Sequence, residues 1–321
     1  MPSLGLTPAT GRIALVDVLR GAAIVCMIAY HLAWDLSYLG FWATDISSEP
    51  GWIGFQRTIL GSFLFLVGLG LALGHGERIR WPRFLRRLGF IAAAALAMSI
   101  GTYLLFGDAF SFFGILHAIV LFSLLGLLFL RLPIVLTLVA AAAIIVAGIV
   151  VHSAAFNERW LAWIGFWTVP PRTADLVAVF PWFGVTLLGV AAGGLLRRLG
   201  WLERLAGLDQ RALPFRALAF AGRWSLLIYL LHQPLLLGVL YPLANWLQPG
   251  AVSPAEAFVQ QCEPSCLESG GVIGYCQAYC GCALGEIERS NLWDAVNSTA
   301  PTPAQSRQID GVITLCRAMA E

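Results

Sequence analysis

Seven apolar stretches, each near the roughly 20 residues an α-helix needs to cross a hydrocarbon core, follow one another along most of this chain. They run Ile13–Ala33, Trp52–Leu73, Phe84–Phe106, Phe112–Leu130, Ile134–His152, Leu176–Leu195 and Trp224–Trp246. Backbone N–H and C=O groups inside lipid must bond within the protein, which restricts spanning segments to helices or a closed barrel. Continuous apolar runs of this length predict an all-α, polytopic transmembrane helical bundle of about seven spans over residues 1–248. With 59% hydrophobic and 12% charged residues the chain is no ordinary soluble domain. A net charge of +2 gives no reason to expect a nucleic-acid partner. The opening "MPSLGLTPATGR" is too short and polar for a signal peptide, so the first span is expected to persist as its own insertion signal.

Arginine sets the expected orientation. Arg78, Arg80, Arg83, Arg86 and Arg87 lie between the second and third spans. Arg197, Arg198, Arg204, Arg211, Arg216 and Arg223 lie between the sixth and seventh, with Arg12 and Arg131 on the same side. The opposite loops carry Asp45, Glu49, Asp108 and Glu158. Cytoplasmic loops hold the excess of positive charge, so the N-terminus is expected inside and the C-terminus outside. The tryptophan-dense "NERWLAWIGFW", Asn157 to Trp167, reads as an interfacial belt on the outer face.

From Pro249 the apolar runs stop and six of the seven cysteines appear, which marks residues 249–321 as a small disulfide-rich helical extension. Cys262 and Cys266, like Cys276 and Cys280, stand four apart and share a helix face. Two helices folded back at Gly270-Gly271 would nest these as Cys262–Cys280 and Cys266–Cys276, leaving Cys282 for Cys316. Six cysteines allow fifteen connectivities, so this is a geometric preference. A zinc site competes with it, although the tail contains no histidine. Disulfides belong to an oxidising compartment, which agrees with an extracytoplasmic tail. The sequon at Asn297 matters only in a eukaryote; all twenty basic residues are arginine, which points to a GC-rich bacterium and its inner membrane.

Ionisable side chains inside spans are rare and functional or paired. Asp17 and Arg20 stand at i, i+3, within reach of one another. His31 lies three helical turns beyond Arg20, toward the outer face, and Asp35 follows it at i+4, where a carboxylate can orient the imidazole. His117 enters the fourth span from the outer face at a depth like that of His31, so the two could share a site. His232, in "IYLLHQPLLLG", is expected nearer the cytoplasmic half, where Pro234 frees a carbonyl for it. Arg57 completes the set in the second span. Positive charge at the cytoplasmic mouth with a histidine and carboxylate near the exit suits an anionic donor whose reactive end meets an acceptor outside.

The segments "DVLRGAAIVCMIAYHLAWDL", "FFGILHAIVLFSLLG", "FPWFGVTLLGVAAGGLL" and "GRWSLLIYLLHQPLL" resemble successive signatures of the bacterial heparan-alpha-glucosaminide N-acetyltransferase-like membrane proteins. Arg20 with His31 is also similar to the R-x10-H spacing of the broader membrane acyltransferase-3 group. This resemblance implies transfer of an acetyl group from cytoplasmic acetyl-CoA, as co-substrate, to an amine or hydroxyl of an extracytoplasmic or lipid-linked sugar. Carried over by position, Arg20 would hold the CoA phosphates or stabilise the channel and His31 would be the base; from their placement in the spans, Asp35 and His117 are the other candidate catalytic residues, and Arg57 and His232 the other candidates for acetyl-CoA contacts. One departure is plain: the heparan enzymes carry the histidine credited with catalysis in the stretch after the first helix, and no histidine lies between Leu36 and Trp52 here. His31 is then a substitute and His117 its rival. Larger relatives have more spans, so homodimerisation could complete the bundle. A small-solute transporter, or a membrane scaffold for the Cys-rich tail, are the other readings of the same residues.

Overall fold

The computed structural model describes residues 14–44, 46–201, 212–247, 254–268, 272–296 and 302–320. Arg12, Asp45, Arg204, Arg211, the Gly270-Gly271 reversal and Asn297 lie outside these residues. The chain divides into two compact units, Met1–Trp246 and Leu247–Glu321.

The first unit is helical. Its elements are α1 (Ala14–Tyr38), α2 (Pro50–His75), α3 (Trp81–Phe106), α4 (Ile115–Phe129), α5 (Ile134–Val150), α6 (Val179–Arg198), α7 (Leu213–Arg223) and α8 (Ser225–Leu247). Proline stands in the first turn of α2, α3 and α7, where its missing N–H is not needed. Among the described residues, five helices are long and apolar enough to cross a membrane: α1, α2, α3 with the short turn after it, α6 and α8. The other two expected spans are apolar but shorter, with 15 residues in α4 and 17 in α5. At 1.5 Å per residue α4 is roughly 22 Å long, because its N-terminus starts well below the end of α3: the Ser99 hydroxyl of α3 donates to the Ser111 carbonyl ahead of α4 (2.6 Å). The bundle turns large apolar side chains outward, including Leu104, Val135 and Val146. A contiguous apolar exterior is a lipid-facing one.

Helices without a water-driven force between them close through small residues, and glycine marks the tightest crossings. A Cβ on Gly68 of α2 would collide with the Thr186 carbonyl of α6, and one on Gly189 of α6 with the Phe65 carbonyl of α2. The α1–α7 crossing is likewise reciprocal, with Gly21 against the Leu218 carbonyl and Gly222 against that of Asp17. Gly74, also in α2, has open space around it. Gly189→Ala should therefore destabilise the bundle by about 3 kcal/mol through overpacking, while Gly74→Ala should be neutral or stabilising. Thermal unfolding of the two variants in detergent checks this, and equal melting temperatures would reject the crossing as a constraint.

The second unit holds α9 (Pro254–Glu268), α10 (Ile273–Arg289) and α11 (Pro303–Ala320), with a helical turn at Trp293–Val296. Its disulfides are Cys262–Cys280, Cys266–Cys276 and Cys282–Cys316, with Cα separations of 5.9, 5.7 and 5.5 Å. This is the pairing that antiparallel nesting of the two i, i+4 faces favours. Cys26 of α1 is the free cysteine.

Candidate active site

Four polar side chains meet between α1 and α8. The His31 and His232 rings stand 4.8 Å apart, centroid to centroid, at 62°. One turn along α1, Asp35 is fully buried, and its Oδ1 accepts a hydrogen bond from Gln233 Nε2 at 2.7 Å. The glycine contacts explain why these residues align. Gly222 lies on the Asp17 carbonyl, so α8 begins beside α1, and both histidines are then roughly 15–20 Å further along at 1.5 Å per residue. His232, expected nearer the cytoplasmic half, is thus level with His31. Asp35 bonds the facing helix and makes no bond to His31, which corrects the expectation of an i, i+4 pair.

His232 Nδ1 lies 2.7 Å from the Tyr229 carbonyl, so that nitrogen carries the proton and Nε2 keeps its lone pair. Its partner is Tyr229, not the Leu230 carbonyl that Pro234 leaves without a helical donor. Three buried acceptor atoms of the cluster, Asp35 Oδ2, His232 Nε2 and Gln233 Oε1, have no donor among the described residues. The site is rich in acceptors that the protein itself leaves unmet.

A cavity of about 530 Å³ reaches Tyr229, one helical turn from His232 on α8, and Ile24, two turns from His31 on α1. The Tyr229 ring centroid is 5.7 Å from that of His232. At its other end five arginines line the wall: Arg20 of α1, Arg83, Arg86 and Arg87 of α3, and Arg223 of α7. The three on α3 share a face at i, i+3, i+4. Arg20 also contacts Asp17, at 3.6 Å, the ion pair expected from their spacing. Between the two ends the wall is apolar, with Phe63, Val67 and Phe90. In the sequence four of these arginines serve only as markers of orientation, although the α3 triplet has the spacing of a single face. Arg57 lies elsewhere, exposed on α2, and does not line the cavity.

His117 sits in a separate corner. Its Nδ1 accepts the Gly114 N–H (3.3 Å) and its Nε2 lies 3.3 Å from the Ser99 hydroxyl. The Ser99 proton goes to the Ser111 carbonyl, so the ring donates to Ser99 from Nε2 and both nitrogens are engaged. This arrangement caps the start of α4, and it does not bring His117 to His31.

Asp175, just ahead of α6, stands outside the spans and so is not among the ionisable residues that hydropathy singles out. The signal was an acid placed directly before an apolar run. Its Oδ2 accepts the N–H of Ile115, the first residue of α4, at 2.9 Å. The Ser111 hydroxyl donates to the Asp175 carbonyl at 3.3 Å, while the nearby Thr173 hydroxyl donates to the Phe110 carbonyl at 2.8 Å. Desolvation raises its carboxyl from 3.8 to about 6, opposed by the Ile115 N–H. A raised pKa means the folded chain holds this proton more tightly than the unfolded one. The contribution to stability is then greatest below about 4 and declines as pH rises to about 6. Compared with Asp175→Asn, the native protein should gain melting temperature as pH falls from 7 to 4.5. A constant difference across that range would mean the carboxyl does not titrate there.

No curated protein and no solved structure matches the chain. The family model described as heparan-alpha-glucosaminide N-acetyltransferase, catalytic, matches residues 12–234, more than half of the sequence and all of the cavity and histidine cluster just described. With an apolar-faced helical bundle built around that match, the chain belongs to the heparan-alpha-glucosaminide N-acetyltransferase catalytic family and is a multi-pass membrane acetyltransferase of that type.

Proposed function

We propose that the protein moves the acetyl group of cytoplasmic acetyl-CoA to an amine on an extracytoplasmic or lipid-linked sugar. The observation that carries this reading is the set of unmet acceptors around His232: Asp35 Oδ2, Gln233 Oε1 and His232 Nε2. A hydroxyl brings one donor, whereas an ammonium brings three, and a buried carboxylate with one neutral partner favours a cation beside it. The five arginines suit the phosphates of the donor, which guanidinium recognises in bidentate fashion. Arginine asymmetry argues that this mouth is cytoplasmic. The Cys-rich unit would then face the oxidising side of a bacterial inner membrane, where its disulfides persist.

In this scheme the amine sheds one proton and its nitrogen attacks the thioester carbonyl. The C–N bond forms, the C–S bond breaks and CoA leaves as the thiolate. The first proton leaves to water as the ammonium enters; of the two that remain on the neutral amine, one stays on the amide nitrogen, and His232 Nε2 accepts the other and returns it to the thiolate, so charge and protons balance. Asp35 and Gln233 orient the amine, His31 packs the base, and Tyr229 is where donor cavity and histidine pair meet.

Protein reconstituted in nanodiscs with acetyl-labelled CoA and a panel of sugars tests this directly. Label should appear on amino sugars as a base-stable amide and not on hydroxyl-only analogues. Equal labelling of both would reject the amine assignment, and no labelling of any sugar would reject the acceptor class.

A further inference from the structure

When an amine attacks a thioester, negative charge gathers on the carbonyl oxygen, and a donor already aimed at that oxygen is among the largest contributions to such a step. The inner end of the donor cavity offers few candidates. Ile24, Ile115 and Leu116 are apolar there, and the five arginines line the other end. Ser225 lies one turn of α8 nearer the arginines than Tyr229 does. The Ile115 N–H is already taken by Asp175 Oδ2 at 2.9 Å. The phenol of Tyr229 is the donor that remains on this wall. A helical side chain leans back over the preceding turn, so the Tyr229 ring leans toward Ser225 and Leu226, which also line the cavity. Among the described residues no hydrogen bond engages its hydroxyl, and that oxygen is not one of the sealed, unmet atoms, so it opens on the cavity. The ring is held from two sides, against the core that includes Phe122 and Leu187 and the one that includes Ile24 and Met27. Its own backbone carbonyl takes the His232 Nδ1 proton, so donor and base stand on one turn of helix with ring centroids 5.7 Å apart.

We propose that Tyr229 is a further catalytic residue, whose hydroxyl donates to the oxygen of the acetyl thioester carbonyl and stabilises the charge that forms there. The assignment rests on the acetyl-transfer reading. As the amine nitrogen bonds to the carbonyl carbon, the C=O π pair moves onto oxygen and the hydrogen bond from Tyr229 tightens, its proton staying on the phenol. When the C–S bond breaks, that pair re-forms C=O and the thiolate leaves, taking the proton held by His232. Tyr229 ends the cycle as it began.

Tyr229→Phe removes the hydroxyl and keeps the ring. In nanodiscs its single-turnover transfer to an amino sugar should fall about 10²–10³-fold, the loss expected for one such donor, with KM for acetyl-CoA near native. Tyr229→3-fluorotyrosine, which restores a hydroxyl, should run about 10-fold or more faster than Tyr229→Phe. Infrared difference spectra with acetyl-CoA carrying a heavy-carbon carbonyl read the contact with no acceptor present. The carbonyl stretch should lie at lower frequency in the native protein than in Tyr229→Phe. An equal stretch in the two proteins, an undiminished rate in Tyr229→Phe, or no recovery in the fluorinated variant overturns the assignment. A stretch that shifts as expected in a protein that labels no sugar would uphold the carbonyl contact and overturn the acceptor reading instead.

Discussion

Replacing His232 with alanine should lower the rate of acetyl transfer by roughly 10²–10⁴-fold, the span of a positioned general base, with little change in KM for acetyl-CoA. The hydrogen bond from Nδ1 to the Tyr229 carbonyl fixes the tautomer and leaves Nε2 as the basic atom, buried beside Asp35 and Gln233. His117→Ala should behave differently. Its nitrogens are both engaged at the start of α4, so the variant should lose about 1 kcal/mol of stability, as expected of a cap, and keep near-normal turnover. Single-turnover kinetics on the two variants separate these roles. A deeper loss in His31→Ala than in His232→Ala would transfer the base to His31, and a chemical-step loss in His117→Ala would reject the tautomer argument.

The arginine end should show the opposite kinetic signature. Arg86 and Arg223 come from different helices and line the same cavity. A hydrogen bond to a charged group contributes roughly 1.5–3 kcal/mol, so Arg86→Ala with Arg223→Ala should raise KM for acetyl-CoA by about 10²–10⁴-fold. Turnover at saturating donor should stay near normal, because these contacts are made equally in ground and transition states. Raising ionic strength should weaken donor binding in the native protein and do so less in the double variant. An unchanged KM would mean that the donor binds elsewhere.

Much of this architecture is legible in the sequence. Length and continuity of apolar runs identify α1, α2, α3, α6 and α8 as spanning helices, because lipid leaves the backbone few alternatives. The disulfide partners follow from i, i+4 spacing, since a helix face and an antiparallel return determine which sulfurs can meet. The depth of His232 does not follow. It depends on how high α8 starts, and that is set by contact of Gly222 with a carbonyl some 200 residues earlier in the chain. Hydropathy also hides that α4 begins part-way along α3, because an apolar loop and an apolar helix look alike to it. Arg83, Arg86 and Arg87 serve orientation and cavity at once, and a reading that stops at the first role misses the second. Asp175 lies where a span-by-span search does not look.

The reciprocal glycine contact between α1 and α7 has a further consequence. Arg20 and Arg223 are the immediate neighbours of Gly21 and Gly222, so the stems of two cavity arginines start from backbone touching backbone. A crossing that cannot yield starts both side chains from one fixed place on the cavity wall before any anion arrives, with Asp17 beside Arg20 in the meantime. Part of the affinity for the donor is thereby written into two missing methyl groups, one of them in the cavity wall itself.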